Sequence, residues 1–128
     1  MARVEVFPER VVIKLSRPER ALALRRADVV LDRDSITSAL ITDDPWVWLR
    51  GVRSPGTHLP TKLAMGTWRG LGGKDFVLIR SGRPAVVLDF DVPDDEGFER
   101  VILSTGHAAD LIRALRLEGE SAVFSSEQ

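Results

Sequence analysis

Arg69 to Arg80 reads RGLGGKDFVLIR, with three glycines ahead of a lysine. Glycine-rich loops that end in lysine can cradle phosphate, because backbone N–H groups and an ammonium converge on the anion. The spacing here is wrong for that. A P-loop needs a glycine five residues before Gly73 and a Ser or Thr after Lys74, and those positions hold Trp68 and Asp75. The dinucleotide pattern, started at Gly70, requires its last glycine where Asp75 stands. Both motifs also need a helix after the loop, so that its N-terminus faces the phosphate. The residues after Lys74, DFVLIRSGRPAVV, read as strand. The glycines are therefore expected at a hairpin tip, where Arg69 and Lys74 make at best a weak anion site.

The other residue types capable of chemistry are scattered. His58 and His107 are the only histidines, and neither has a histidine or cysteine at i+3 or i+4, so no metal site is expected. Cysteine is absent, which removes thiolate nucleophiles and disulfides. Ser54-Pro55-Gly56 is a turn sequence, not a nucleophile elbow. The stretch DFDVPDDEG gathers Asp89, Asp91, Asp94, Asp95 and Glu96. Counted as a calcium loop from Asp89, its sixth position is Asp94 instead of glycine and its twelfth is Arg100, so it reads as a solvated turn. Arg17, Arg20, Arg25 and Arg26 are interspersed with Glu19, Asp28, Asp32 and Asp34 and have no aromatic residues between them. With 18 basic and 19 acidic residues and a net charge of -1, the chain is not expected to bind nucleic acid. No cofactor is expected.

The most informative stretch is DDPWVWLRGVRSPGTHLP, residues 43–60. Two tryptophans are costly to leave in water. Trp46, Trp48, Arg50, Arg53, His58 and Lys62, with Trp68 and Arg69 nearby in sequence, form the candidate ligand- or partner-binding set. Asp44 suits an N-cap, Pro45 the first helical position and Gly51 the residue beyond the end, so a short helix is expected. Residues two apart on an α-helix point about 200° apart. One tryptophan should then dock and the other stay partly accessible beside Arg50 or Arg53.

These residues sit on a scaffold that reads as mainly β. RVEVF and RVVIKLS alternate, with a turn at Phe7-Pro8-Glu9, and predict a hairpin. Ser16 and Glu19 have capping-box spacing, with Pro18 in the first turn, and predict a helix over Arg17–Leu24. Strands are expected near Asp28–Asp32 and Ile36–Thr42, an irregular loop at VRSPGTHLP, and further strands at TKLAMGTWR, KDFVLIR, PAVVLDF and FERVILS. Their connections, GLGG, SGRP and DVPDDEG, are too short for helical crossovers, which predicts an antiparallel meander. Ala108, Leu111, Ile112 and Leu115 make one apolar helical stripe, capped by Ser104 or Thr105 and ended by Gly119. The reading is one domain over residues 1–117 and a flexible tail over 118–128. Hydrophobic residues are 44% and charged residues 29% of the chain, which suits a globular protein. No apolar run reaches the roughly 20 residues of a membrane span, and a cytoplasmic location is expected.

The order of strands, meander and C-terminal amphipathic helix resembles small bacterial pleckstrin-homology-like (PH-like) domains of an actinobacterial type. The wording of DDPWVWLRGVRSPGTHLP, MGTWRGLGGKDFVLIRSGRPAVVLDF and VILSTGHAADLIRALR carries the likeness, which extends from about Arg3 to Leu117. It implies a bent antiparallel sandwich or partly open barrel with the helix at one end, elaborated by the short first helix and the tryptophan insert. It also implies a noncatalytic scaffold that binds a protein partner or self-associates. The alternative is a small-ligand or anionic-lipid binder, or an enzyme, with its site in the insert. Peripheral membrane contact has no support in the residues themselves.

Overall fold

A computed structural model describes residues 3–23, 28–59, 62–70, 73–91, 97–116 and 122–125, with the side chains of 52–55, 116 and 122–125 left out. Strands β1 (Arg3–Val6) and β2 (Arg10–Lys14) form the expected hairpin. The Phe7 N–H closes its turn by donating to the Arg10 carbonyl at 2.8 Å. Alternation puts Val4, Val6, Val11 and Ile13 inside. Helix α1 (Arg17–Ala23) starts with the anticipated capping box. Glu19 accepts from the Ser16 N–H and hydroxyl, both at 2.9 Å, and its own N–H points back to Ser16 Oγ at 3.4 Å.

Strand β3 (Val29–Asp32) pairs with β2, and a 3₁₀ turn (Arg33–Ser35) passes the chain to the second sheet at β4 (Ile36–Thr42). Arg33 is buried in this crossing. Its guanidinium donates to the carbonyls of Phe7 and Ala114, both at 2.9 Å, and so ties the first hairpin to the end of the C-terminal helix. After a second 3₁₀ turn (Pro45–Trp48) come β5 (Val52–Leu59), β6 (Leu63–Arg69), β7 (Lys74–Arg80), β8 (Ala85–Phe90) and β9 (Phe98–Ser104). Helix α2 (Ala108–Arg116) and β10 (Ala122–Ser125) complete the order.

The protein is mainly β, with two sheets and a C-terminal helix. Among the described residues the sheets do not close into a barrel. The first sheet is antiparallel in the order β10-β1-β2-β3, and the second runs β4-β8-β9-β7-β6-β5. Inward residues of both sheets meet in one core, with Phe76, Leu78, Val86, Leu88, Val101 and Leu103 opposite the four β1–β2 residues. Ala108, Leu111 and Ile112 of α2 complete it, as the apolar stripe required.

Three expectations are corrected. The strands do not form a simple meander: β9 pairs antiparallel with β8 but parallel with β7. A helical crossover is unnecessary, because β8 itself carries the chain back. It leaves a vacant place beside β7, and β9 fills it. Second, VRSPGTHLP is no irregular loop, since Val52–Leu59 is the edge strand of the second sheet. An edge tolerates the missing N–H of Pro55, and a register shift between Arg53 and Gly56 absorbs the turn-forming pair. Gly56, at φ 151°, lies so close to the Met65 carbonyl and Gly66 that no Cβ would fit. Third, residues 122–125 of the expected flexible tail form β10 in full register with β1, from Arg3 against Ser125 to Val6 against Ala122. Residues 117–121 and 126–128, Arg25, Arg26 and the acidic stretch 92–96 lie outside the described residues.

Candidate functional site

The second sheet has a second buried face. Ala64, Trp68, Val77, Ile79, Ala85, Val87 and Ile102 point away from the main core. The 3₁₀ turn of the insert lies on them, with Trp46, Trp48 and Leu49 half-buried against this cluster. The expected short α-helix is a 3₁₀ turn that ends at a Leu49 C-cap, so Gly51 stands two residues beyond the cap instead of one. Its φ of 78° turns the chain into β5, and a Cβ there would strike the Arg69 carbonyl.

The two tryptophans do not divide as an α-helix would dictate. A 3₁₀ turn advances by a third of a circle per residue, so Trp46 and Trp48 both lean toward the sheet, and Val47 between them is 72% exposed. Trp46 stacks on His58 at 6.3 Å between ring centroids, and His58 and Trp68 meet in a T-shaped pair at 5.8 Å. Trp68 is 3% exposed and is the tryptophan that fills this face. The small residues Gly56, Ala64 and Gly66 on neighbouring strands leave room for these rings.

A charged row runs beside the rings. Asp89, Arg100, Asp75 and Trp68 are successive register neighbours on β8, β9, β7 and β6. Arg50 grips Asp75 with two bonds, Nε to Oδ2 at 2.7 Å and Nη2 to Oδ1 at 3.0 Å. Arg100 Nε donates to Asp89 Oδ1 at 2.8 Å and Nη1 to the Trp48 carbonyl at 3.3 Å. The Arg100 guanidinium also lies 5.3 Å from the Trp48 ring centroid. The hydrogen bond to Asp75 raises the Arg50 pKa above its ordinary value. Burial opposes this, and the nearby carboxylates of Asp75, Glu99 and Asp89 reinforce it. Both arginines therefore latch the insert to the sheet.

Asp75 is 3% exposed, so its carboxylate depends on this clamp. Arg50→Ala is expected to cost about 2 kcal/mol, the scale for hydrogen bonds to a charged group. Urea unfolding measures it, and a cycle with Asp75→Asn should show strong coupling. Independent, additive effects of the two changes would refute the clamp.

Of the candidate set, the structure brings Trp46, His58 and Trp68 together, and sets Trp48 and Arg50 beside them. Lys62 lies just before the start of β6 and Arg69 at its end, so the length of the strand, roughly 20 Å at about 3.3 Å per residue, separates them. The Arg53 side chain lies outside the described residues. At the glycine tip the Gly70 N–H bonds the Gly73 carbonyl at 2.9 Å, and Arg69 pairs with Lys74 across the β6–β7 hairpin. Lys74 Nζ rests 5.0 Å from the Phe98 ring centroid. Sequence reasoning missed Arg33, Asp75, Asp89 and Arg100 as structural polar residues.

It also missed a groove on the opposite flank of the second sheet. Ala39, Leu40 and Ile41 of β4 and Ala109, Ile112 and Arg113 of α2 line an open depression of about 470 Å³. Successive strand residues face opposite sides, so three in a row can line one groove only if it follows the strand's edge. That edge has no strand partner among the described residues. Among the described residues no helix is long and apolar enough to cross a membrane. No family model, curated protein or solved structure matches the chain.

Proposed function

We propose that the chain is a noncatalytic binding or assembly module on a PH-like scaffold, and that it engages a protein segment along β4. The observation that carries this reading is the apolar groove beside an unpaired edge strand. Backbone N–H and C=O groups on such an edge offer a ladder to an extended chain, and the groove offers side-chain pockets. A small-ligand, anionic-lipid or catalytic site in the tryptophan insert has less support. Arg50 is committed to Asp75, Arg100 to Asp89, and the His58 ring lies between two tryptophans.

Selection of random peptides on the full chain tests the proposal. Ala109→Glu and Ile41→Glu alter exposed positions in the groove and should leave folding intact. Enriched peptides should bind the parent and lose at least about tenfold in affinity to either variant, the effect of roughly 1.4 kcal/mol. Peptides that bind both variants as well as the parent would place the docking surface elsewhere.

A further inference from the structure

We infer that the occupant of the β4 groove is an extended segment of another protein, uncharged along its centre and basic at both ends. The inference rests on the binding reading above and adds the chemistry of the partner.

The four sheet edges differ. β3 and β10 are four residues long, and β5 carries Pro55 and a register shift. Short strands, proline and irregular register are the usual protections against unwanted strand pairing. β4 is seven residues long, ITSALIT, without charge or proline. Its one irregularity, between Ile36 and Ser38, leaves Ser38 to Thr42 in regular register with β8. Ile41 remains 44% exposed at the groove. A strand of this kind pairs readily.

The charges at its ends select the partner. Asp34 precedes β4, and Asp43 and Asp44 follow it. All three are exposed, and among the described residues none has a cationic partner. Antiparallel pairing of two copies about the central residue Ala39 would set Asp34 of each copy against Asp44 of the other. Like charges would then meet at both ends of the new ladder, which disfavours a second copy. An added strand with lysine or arginine at each end would instead meet a carboxylate at each end. Asp34 lies in the 3₁₀ turn ahead of β4 and Asp43 directly follows the strand, so the two cations of the partner should flank an extended core of about the seven residues of β4.

Two synthetic peptides distinguish the possibilities. Both have a seven-residue core of alternating valine and threonine; one is flanked by Lys-Arg pairs, the other by Glu-Glu pairs. Fluorescence anisotropy with the full chain should show the basic-flanked peptide binding about tenfold tighter, the sum of several exposed ion pairs. The preference should shrink as salt rises. It should vanish in the triple variant Asp34→Asn, Asp43→Asn, Asp44→Asn, while Ala109→Glu weakens both peptides. Equal affinities, or a preference that survives the triple variant, would overturn the charge inference but leave the groove as a docking site. Failure of both peptides to bind would overturn both readings. A dimer in sedimentation that Ala109→Glu dissociates would replace the peptide with a second copy.

Discussion

Leu111→Asp is expected to destabilise the protein by about 4 kcal/mol, through burial of a carboxylate with no partner. Leu111 is 1% exposed and packs in the core shared by both sheets. That core is built of Val, Ile, Leu, Phe, Met and Ala side chains, none of which can donate a hydrogen bond to a carboxylate. Helix α2 cannot turn the residue outward, because Ala108 and Ile112 are anchored in the same core and Arg33 holds the carbonyl of Ala114. Urea unfolding monitored by tryptophan fluorescence measures the loss. If the aspartate variant does not fold, Leu111→Ala should still unfold cooperatively at a cost of roughly 3 kcal/mol. A helix that merely rested on the surface would show less than about 1 kcal/mol for the alanine change.

Trp68→Ala should cost about 4 kcal/mol, and Trp46→Ala and Trp48→Ala roughly half as much or less. The ranking follows from where the rings lie. Trp68 is buried on β6, under the insert and in a T-shaped contact with His58. Its removal leaves a cavity bounded by strand backbone, which cannot collapse. Trp46 and Trp48 are half-buried in the 3₁₀ turn at the surface of the contact, where solvent already covers part of each ring and truncation removes less buried area. Equal losses for all three would mean that the insert and the sheet form one rigid layer.

Much of this architecture is legible in local patterns. The period-two runs at Val4–Val6 and Val11–Ile13, the Ser16–Glu19 capping box and the stripe of α2 all appear where their spacing put them. Each depends on residues within one turn or one hairpin. What stayed hidden depends on residues far apart. Arg50 and Asp75 are 25 positions apart, and nothing in either neighbourhood marks them as partners. Arg33 sits in the polar run Asp32 to Ser35, which reads as surface until α2 arrives to cover it. Pro55-Gly56 speaks for a turn, and only an edge position in a sheet makes it compatible with a strand. The β4 groove was invisible because Leu40 and Ile41 look like ordinary strand residues; the exposure of Ile41 follows from β4 having no strand partner on that side among the described residues.

The position of β9 bears on how the chain acquires its structure. During synthesis β7 and β8 emerge before the strand that belongs between them. They cannot mate correctly with each other, since each shares its ladder with β9. The middle of the larger sheet therefore forms only after residue 104 has left the ribosome, and the tryptophan insert, made some fifty residues earlier, waits for the floor on which it rests. Such a topology puts late, nonlocal closure at the heart of folding and makes it slow relative to a meander of equal length. It also leaves the apolar strands β7 and β8 without their proper mate in the nascent chain, the interval in which misassembly with other chains is most dangerous.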